Sequence, residues 1–540
     1  MTTLPTDGNP RPWASGHVAT GPATPLDGVT IRSFWEQCVE RQGDALFLEF
    51  DQAKWSYAAF DLWVNRAAHW LLDHGVRAGS HVALWLPNSA DTLRLHFALH
   101  KLGAVVVPMI TQATNDEAMH VLRHSQAELL LSDHAVNALS TDIKTLSDLR
   151  GVIGVRADPE HLSVGTYEDA DDASSDEPTA TSAAPEDLAL LLYTSGSTGK
   201  PKGVMIPSQG FVSTARAFVD HFQYRESDNY LLTLPMFHAA GAVSAPGHTM
   251  ACGGALTVMP RWRPSRFWEL VRNNGVTVTT LFPSQVAMLM TAPEADDDRD
   301  HPLRLLVTHE YPADFVYRYG VEACTIWGMT ETSGICTATR PGSALRHRPG
   351  LVGTPMRNVT ITIRDSEGAV LPAGTTGEIW LHHPHNMLGY YDDAVATHST
   401  LTDGWVRSGD LGMLDEGGDL YFRGRIKHLI KRSGENISGE EVEEVLRSHP
   451  DVLECVVIGV PDTIRTEEVY IMVVTSNENL AESALYEWCL SRISSWKAPR
   501  YIDLRMAPLP RLPNEKFDRR AVADAADVAN CWDREVSTLG

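Results

Sequence analysis

No Cys-x-x-Cys pair occurs in this chain, and its seven cysteines (Cys38, Cys252, Cys324, Cys336, Cys455, Cys489 and Cys531) are odd in number and scattered. Neither a disulfide framework nor a zinc site is indicated. No apolar run approaches the length that crosses a bilayer, which argues against a membrane partner. Residues 1–15 mix Pro, Gly, Asp and Arg without the apolar core of a secretory signal, which predicts a loose arm and a cytoplasmic protein. Positive charge is scarce as well: 45 Lys and Arg stand against 69 Asp and Glu, a formal net charge of −24. Such a chain repels polyanions, so nucleic acid is not an expected partner and local basic clusters become informative. There is no convincing internal repeat. What the chain has is length: 540 residues at 43% hydrophobic content exceed what one core organises and predict at least two domains.

The densest chemical signal is the run Tyr193-Thr-Ser-Gly-Ser-Thr-Gly-Lys-Pro-Lys-Gly203. A Ser/Thr/Gly loop ending in lysines offers backbone N–H groups, hydroxyls and ammonium groups to phosphate oxygens. Leu188-Ala-Leu-Leu-Leu-Tyr193 before it reads as a buried strand, which anchors the loop at a strand end. A P-loop NTPase needs a helix directly after Lys-Ser/Thr, whereas Lys200 is followed here by Pro201, Lys202 and Gly203, so that reading fails. The run resembles the phosphate-binding signature of the adenylate-forming superfamily, which comprises acyl-CoA synthetases, beetle luciferases and the adenylation domains of peptide synthetases. That resemblance implies nucleotide contacts from Thr194, Ser195, Gly196, Ser197, Thr198, Gly199 and Lys200.

Helical and strand patterns alternate through the first part of the chain. Phe34 to Val39, Tyr57 to Leu72 and Ala90 to Leu102 read as helices, and His81 to Leu86 and Ala104 to Pro108 as strands, the order of parallel α/β structure. The stretch between Ala157 and Asp187 is acidic and Ser/Thr/Ala-rich, and reads as a solvated connector. Alternation resumes through Leu256 to Met259, Val276 to Leu281 and Arg304 to Val307; Val359 to Arg364 and Gly377 to Leu381 are short strands of a more β-like part. From about Lys427 the tail reads as a separate small α/β domain entered through the basic run Arg423-Gly-Arg-Ile-Lys-His-Leu-Ile-Lys-Arg432. A charge run is usually a solvated face; at this boundary a hinge or a phosphate-facing edge is expected. The fold class is therefore α/β: a flexible arm (1–30), a large N-terminal domain of several α/β subdomains with an added β-rich one (31–426), and a small mobile C-terminal α/β domain (427–540).

Five further motifs follow in the superfamily's order, and a sixth, between the fourth and the fifth in the chain, resembles that of its acyl-CoA synthetases. Pro235-Met-Phe-His238 resembles the acyl-site loop, in which the aromatic ring and imidazole border the substrate and a thiol tunnel. Trp327-Gly-Met-Thr-Glu331 resembles the Tyr-Gly-x-Thr-Glu element, which implies an aromatic near the adenine, with Gly328 and Thr330 beside it and Glu331 on magnesium. One carboxylate suffices chemically for a hard cation that bridges phosphates. Gly404-Trp-Val-Arg-Ser-Gly-Asp410 resembles the element whose Asp accepts both ribose hydroxyls. Gly424-Arg425 followed by Lys427 resembles the element that supplies a ribose- or phosphate-contacting Arg and then the hinge. Leu509-Pro-Arg-Leu-Pro-Asn-Glu-Lys516-Phe-Asp-Arg resembles the segment of the catalytic lysine. Gly434-Glu-Asn-Ile-Ser438 with Glu440-Glu-Val-Glu-Glu444 resembles the hairpin that the small domain swings inward for thioester formation, which implicates Arg432, Gly434 and Glu435 with Lys427 on the CoA and hinge side.

The resemblance thus implies a stand-alone acyl-CoA synthetase that uses ATP or acyl-adenylate, CoA and magnesium. No carrier domain is expected after residue 540, which fits free CoA as acceptor. A homodimer is compatible with it. Two other classes stay open: an adenylation enzyme that loads a carrier-protein thiol, and a binding protein that keeps the fold without turnover. Glycines are missing where the family has them. Thr308-His-Glu-Tyr-Pro312 stands in place of a Gly-Gly-Ala-Pro or Gly-Ser-Ala-Pro loop, so His309, Glu310 or Tyr311 is expected to intrude on the adenine or acyl site. The segment before Trp327 also reads as short, which would open the pocket. Glu515 replaces the glycine before Lys516. A carboxylate about 6 Å from an anionic reacting centre costs roughly 3 kcal/mol at an effective dielectric near 20, on the order of a hundredfold in rate. Adenylation is expected to be impaired unless solvent or Arg519 screens Glu515, so that a separate adenylating synthetase would supply the adenylate.

The acyl pocket is expected to draw on His238, Ala239, Ala240, Phe282, Pro283, Thr308, His309, Glu310 and Tyr311, small and aromatic groups that favour a bulky, apolar acid. As a whole the chain resembles carnitine-type and medium-chain CoA ligases, and also diterpenoid-acid CoA ligases of platensimycin-type antibiotic biosynthesis.

Overall fold

The computed structural model describes residues 16–20, 28–133, 143–155, 163–178, 183–194, 201–343, 348–433, 435–512 and 516–537. The described residues form a large N-terminal α/β domain and a small C-terminal one. Three sheets organise them. The first runs parallel through Leu46–Phe50, Ala255–Val258, Asn229–Leu232, Val278–Thr280, Leu305–Thr308 and Glu322–Met329. It then continues antiparallel through Gly334–Ala338, Leu351–Pro355, Leu420–Arg425, Trp405–Leu414, Thr376–His382 and Thr360–Arg364. The β-rich part expected from the sequence is therefore the continuation of the parallel sheet.

The second sheet orders Lys202–Pro207, Leu188–Thr194, Val105–Pro108, His81–Trp85, Leu129–Ser132, Gly151–Gly154 and Ser163–Thr166. All of its neighbours are parallel except the first pair. The third belongs to the small domain: Glu435–Ser438, Leu429–Arg432, Thr466–Val474, Tyr501–Arg505 and Trp532–Asp533, with Glu454–Asp462 beside Thr466–Val474. Its core is separate, built on Ile430, Val442, Leu446, Val469, Ile471 and Leu485, as expected of a unit that folds around its own apolar centre. Among the described residues no helix is long and apolar enough to cross a membrane.

Two readings change. Most of the expected arm lies outside the described residues, but Val18–Thr20 pairs with Thr360–Arg364 and is part of a sheet. Thr30 caps the helix Ile31–Gln42, and the Ile31 N–H donates to Ser208 Oγ at 2.8 Å. The acidic stretch is not a solvated connector throughout. Tyr167–Asp172 forms a 3-10 turn whose Tyr167 and Ala170 are buried. Two buried cations pull it in: Arg94 pairs with Asp171 at 2.8 Å, and Lys101 reaches Glu177 at 2.5 Å and Asp61 at 2.8 Å. Charges this deep must be paired, and the acidic composition supplies the partners.

Candidate active site

The strand Leu188–Thr194 delivers the phosphate-loop run and the strand Lys202–Pro207 takes it away, with Thr194 opposite Lys202 and Tyr193 opposite Gly203. A strand, not a helix, follows Pro201, which separates this loop from the P-loop arrangement. Ser195, Gly196, Ser197, Thr198, Gly199 and Lys200 lie outside the described residues. Both ends of the loop rest on the helix Asn115–His124: His124 Nδ1 hydrogen-bonds the Tyr193 hydroxyl at 2.8 Å, and His120 Nε2 the Pro201 carbonyl at 3.2 Å. Lys202 lies 5.2 Å from the centre of the Tyr390 ring, and the Tyr390 hydroxyl donates to Glu331 Oε1 at 2.7 Å. The loop exit is thereby tied to the strand Glu322–Met329 and the 3-10 turn Thr330–Thr332 that carry Trp327, Gly328, Thr330 and Glu331. Gly328 is required there by close approach, since a Cβ would lie 2.3 Å from the Gly334 carbonyl oxygen.

Asp410 and Arg425 face each other in the register of the strands Trp405–Leu414 and Leu420–Arg425. Arg425 Nε lies 3.1 Å from Asp410 Oδ1, and the buried Trp327 indole N–H donates to Asp410 Oδ2 at 3.0 Å. Burial pushes the Asp410 carboxyl above its ordinary range, and Arg425 and the Trp327 hydrogen bond pull it back. Lys516 comes to this pair from the small domain. Its ammonium is depressed by desolvation first and by Arg425, is held up by Asp410, and also feels Lys427 and Glu331. On either side of residues 513–515, Arg511 bridges Phe517 and the Leu512 N–H donates to the Lys516 carbonyl at 2.8 Å. Glu515 lies outside the described residues.

An aromatic wall stands on the same side. The Phe282 ring packs edge-on to His238 at 5.8 Å and stacks on His309 at 5.7 Å and 16°. Desolvation, with Lys516 and His309 adding to it, pushes His238 down to about 3; desolvation and Lys516 push His309 down to about 4. The His238 ring is therefore neutral near pH 7. The Ala240 N–H donates to His238 Nδ1 at 3.2 Å, which leaves the ring proton on Nε2. Ala239 is buried beside it, Ala240 opens a π-helical turn, and Pro283 starts the helix behind Phe282. The loop that lacks glycine divides. Thr308 is fully buried at its strand end, and its hydroxyl makes no hydrogen bond. Tyr311 is half-buried, while His309 and Glu310 are exposed. Glu310 reaches across to the small domain, where Arg447 Nη2 lies 3.1 Å from its Oε1.

Lys427 sits in the 3-10 turn Ile426–His428 between the domains, its ammonium depressed by desolvation and then by Arg425. Gly424 just before it has φ +113°, and a Cβ there would lie 2.4 Å from Ser438 Oγ of the small domain. The hairpin residues take other partners: Arg432 pairs with Glu468 at 2.8 Å, and Glu435 lies opposite Arg432 in the ladder. Gly434 lies outside the described residues. The structure thus gathers Lys516, Asp410, Arg425, Lys427, Glu331, His238 and His309, and leaves the hairpin on the small domain's own sheet. Two residues at this site carry no sequence signal. They are Tyr390, which holds Glu331, and Arg447, which meets Glu310; neither falls in one of the sequence motifs.

The model of the AMP-binding enzyme family matches residues 34–391, and that of the AMP-binding enzyme C-terminal domain matches residues 441–516. The crotonobetaine/carnitine–CoA ligase of Citrobacter koseri is 31% identical over 509 residues, covering 90% of this chain and 97% of that protein. The fold is similar to that of the anthranilate CoA ligase AuaEII in complex with anthranoyl-AMP, with a TM-score of 0.85 at 24% identity over 93% of this chain and 98% of that one. The Mycobacterium tuberculosis fatty acyl CoA synthetase follows with a TM-score of 0.73 at 26% identity, covering 92% of this chain and 98% of that one. With both domains matched and the motif residues gathered where the domains meet, the chain belongs to the AMP-binding enzyme family, in its branch of acid–CoA ligases.

Proposed function

We propose that this ligase joins a bulky, apolar carboxylic acid to CoA through an acyl-adenylate, with the adenylation step slowed by Glu515. The observation that carries the reading is the set of paired groups at the strand ends of the large domain, where Asp410 meets Arg425 Nε at 3.1 Å and accepts the Trp327 indole N–H at 3.0 Å, and Tyr390 holds Glu331 at 2.7 Å. In the first step a carboxylate oxygen of the acid attacks the α-phosphorus of ATP and pyrophosphate leaves. Lys516 and Arg425 neutralise the charge that develops on the phosphoryl oxygens, and Asp410 fixes Arg425 and the ribose. Tyr390 engages one oxygen of Glu331, and Glu331, a single hard carboxylate, is the residue that would hold a magnesium ion. Bound there, magnesium would supply charge neutralisation on the phosphates. In the second step the CoA thiol attacks the carbonyl carbon of the mixed anhydride and AMP leaves. Neutral His238, with its proton on Nε2, is a hydrogen-bonding group at the thiol's approach rather than a fixed cation.

The substrate class rests on the wall of Phe282, His238 and His309, which offers stacking area, with the His238 ring uncharged. A panel of preformed adenylates of short aliphatic, aryl and polycyclic acids, given with CoA, should show kcat/KM about tenfold higher for the bulky members. Preference for the short acids would overturn the pocket assignment, and acylation of a carrier-protein thiol in place of CoA would overturn the acceptor.

The two steps ask different things of the small domain: Lys516 inward for the first, the hairpin of residues 434–438 inward for the second. A pivot at Lys427 provides this. Proline at 427 fixes φ and should trap one arrangement, so that one half-reaction falls about tenfold more than the other. Equal loss of both with an unchanged melting temperature would place the pivot elsewhere.

A further inference from the structure

The loop 308–312 does more than line a pocket. Glu310 Oε1 meets Arg447 Nη2 at 3.1 Å across the domain boundary, and Arg447 Nη1 lies 3.6 Å from Glu443 of its own helix. Glu443 is buried, accepts the Val457 N–H at 2.9 Å, and pairs with Arg519 at 2.6 Å. Arg519 lies 3.7 Å from Glu440, which holds His428 Nδ1 at 2.5 Å, one residue beyond Lys427. A chain of ion pairs and hydrogen bonds thus runs from the acyl-side loop, through the small domain, to the pivot. Of these contacts, the Glu310–Arg447 pair joins the acyl-side loop to the small domain. Its loop neighbour His309 stacks on Phe282, so whatever occupies the space beside those rings bears on Glu310 through one peptide unit.

We propose that Glu310 and Arg447 are positioning residues forming a latch that holds the small domain with Lys516 inward, and that release of Glu310 by the acyl group frees the domain to turn. The inference rests on the two-step reading above. The strength of the pair suits the task. The Glu310 side chain is 54% exposed and that of Arg447 33%, and a half-exposed pair biases an equilibrium by a factor of about two to five. A bias of that size favours one arrangement without trapping it, whereas a fully buried pair would have to be broken at prohibitive cost in every turnover. The family pattern that this stretch replaces is glycine-rich and offers no carboxylate, so the latch belongs to His309-Glu310-Tyr311 of this chain.

The test uses the full chain with a donor dye on the large domain and an acceptor on the small one, together with single-turnover assays of both half-reactions. Glu310→Gln and Arg447→Gln should each shift the domain distribution away from the Lys516-inward arrangement about threefold. They should lower adenylate formation by the same factor while leaving or raising thioester formation from supplied adenylate. The exchange E310R/R447E should restore the parent distribution, and salt at about 0.5 M should erase the difference between parent and single variants. An unchanged distribution and rate ratio in Glu310→Gln, or a charge exchange that rescues nothing, would overturn the latch. Glu310→Gln decides alone if Arg447→Gln fails to fold, because Glu310 lies on an exposed loop; where parent adenylation is too slow to time, the comparison runs in a Glu515→Gly background. A parent that forms no thioester from any adenylate refutes the two-step reading, while the dye distances still report on the ion pair.

Discussion

Replacing Glu515 by glycine should raise the rate of adenylate formation about a hundredfold, read as pyrophosphate exchange into ATP with the cognate acid. Lys516 already has two carboxylates in its surroundings, Asp410 and Glu331, set against two cations, Arg425 and Lys427. That balance leaves a cation able to meet a phosphoryl group as negative charge builds on it. A further carboxylate joined to Lys516 by one peptide bond opposes the charge that the lysine is there to supply, by roughly 3 kcal/mol at about 6 Å and an effective dielectric near 20. Glycine removes that negative charge. Thioester formation from supplied adenylate should not change, because Lys516 has no part in it. If Glu515→Gly and the parent exchange pyrophosphate equally fast, Glu515 is screened and the enzyme is an ordinary two-step ligase.

The second large effect is expected at Asp410. This carboxylate is 5% exposed and joins Trp327 to Arg425. In Asp410→Ala the Trp327 hydrogen bond and the Arg425 ion pair are both lost, and Arg425 remains beside Lys427 and Lys516 with one anion fewer to balance them. A hydrogen bond to a charged group is by itself worth about 1.5–3 kcal/mol. Thioester formation from supplied adenylate should therefore fall about ten- to a hundredfold, with most of the change in the KM for adenylate. Asp410→Asn keeps an acceptor for Trp327 but drops the charge, and should recover part of the loss. Unchanged kinetics in Asp410→Ala would remove this residue from the nucleotide site.

What the sequence made legible was local. The apolar run before Tyr193 anchors the phosphate-loop run at a strand end and Pro201 rules out a P-loop helix, since a strand and its turn are written in consecutive residues; the strand Lys202–Pro207 that follows is not among the expected ones. The helices at Tyr57 and Ala90 and the strand at His81 lie within a residue of their expected bounds, because apolar periodicity reports burial directly. Long-range pairings were not legible. Nothing in Val18–Thr20 names a partner near residue 360, and an acidic, Ala-rich stretch reads as solvated until Arg94 and Lys101 are seen buried beneath it. The same holds at the site. Trp327 was expected near the adenine, and its N–H is committed to Asp410, 83 residues away; Glu310 was expected at the acyl group, and its carboxylate is committed to Arg447, 137 residues away. Pattern gives the type of a residue and its order in the chain, while its partner is decided by packing between elements that carry no shared sequence mark.

One measurement bears most directly on the account: purified parent protein is given preformed acyl-adenylate of a bulky apolar acid with CoA, and separately the free acid with ATP, magnesium and CoA, and thioester is timed in both. The account predicts rapid thioester from the adenylate and slower formation from the free acid by about a hundredfold. Equal rates from the two would contradict a slowed first step, and absence of thioester from the adenylate would contradict the assignment of the chain's chemistry altogether.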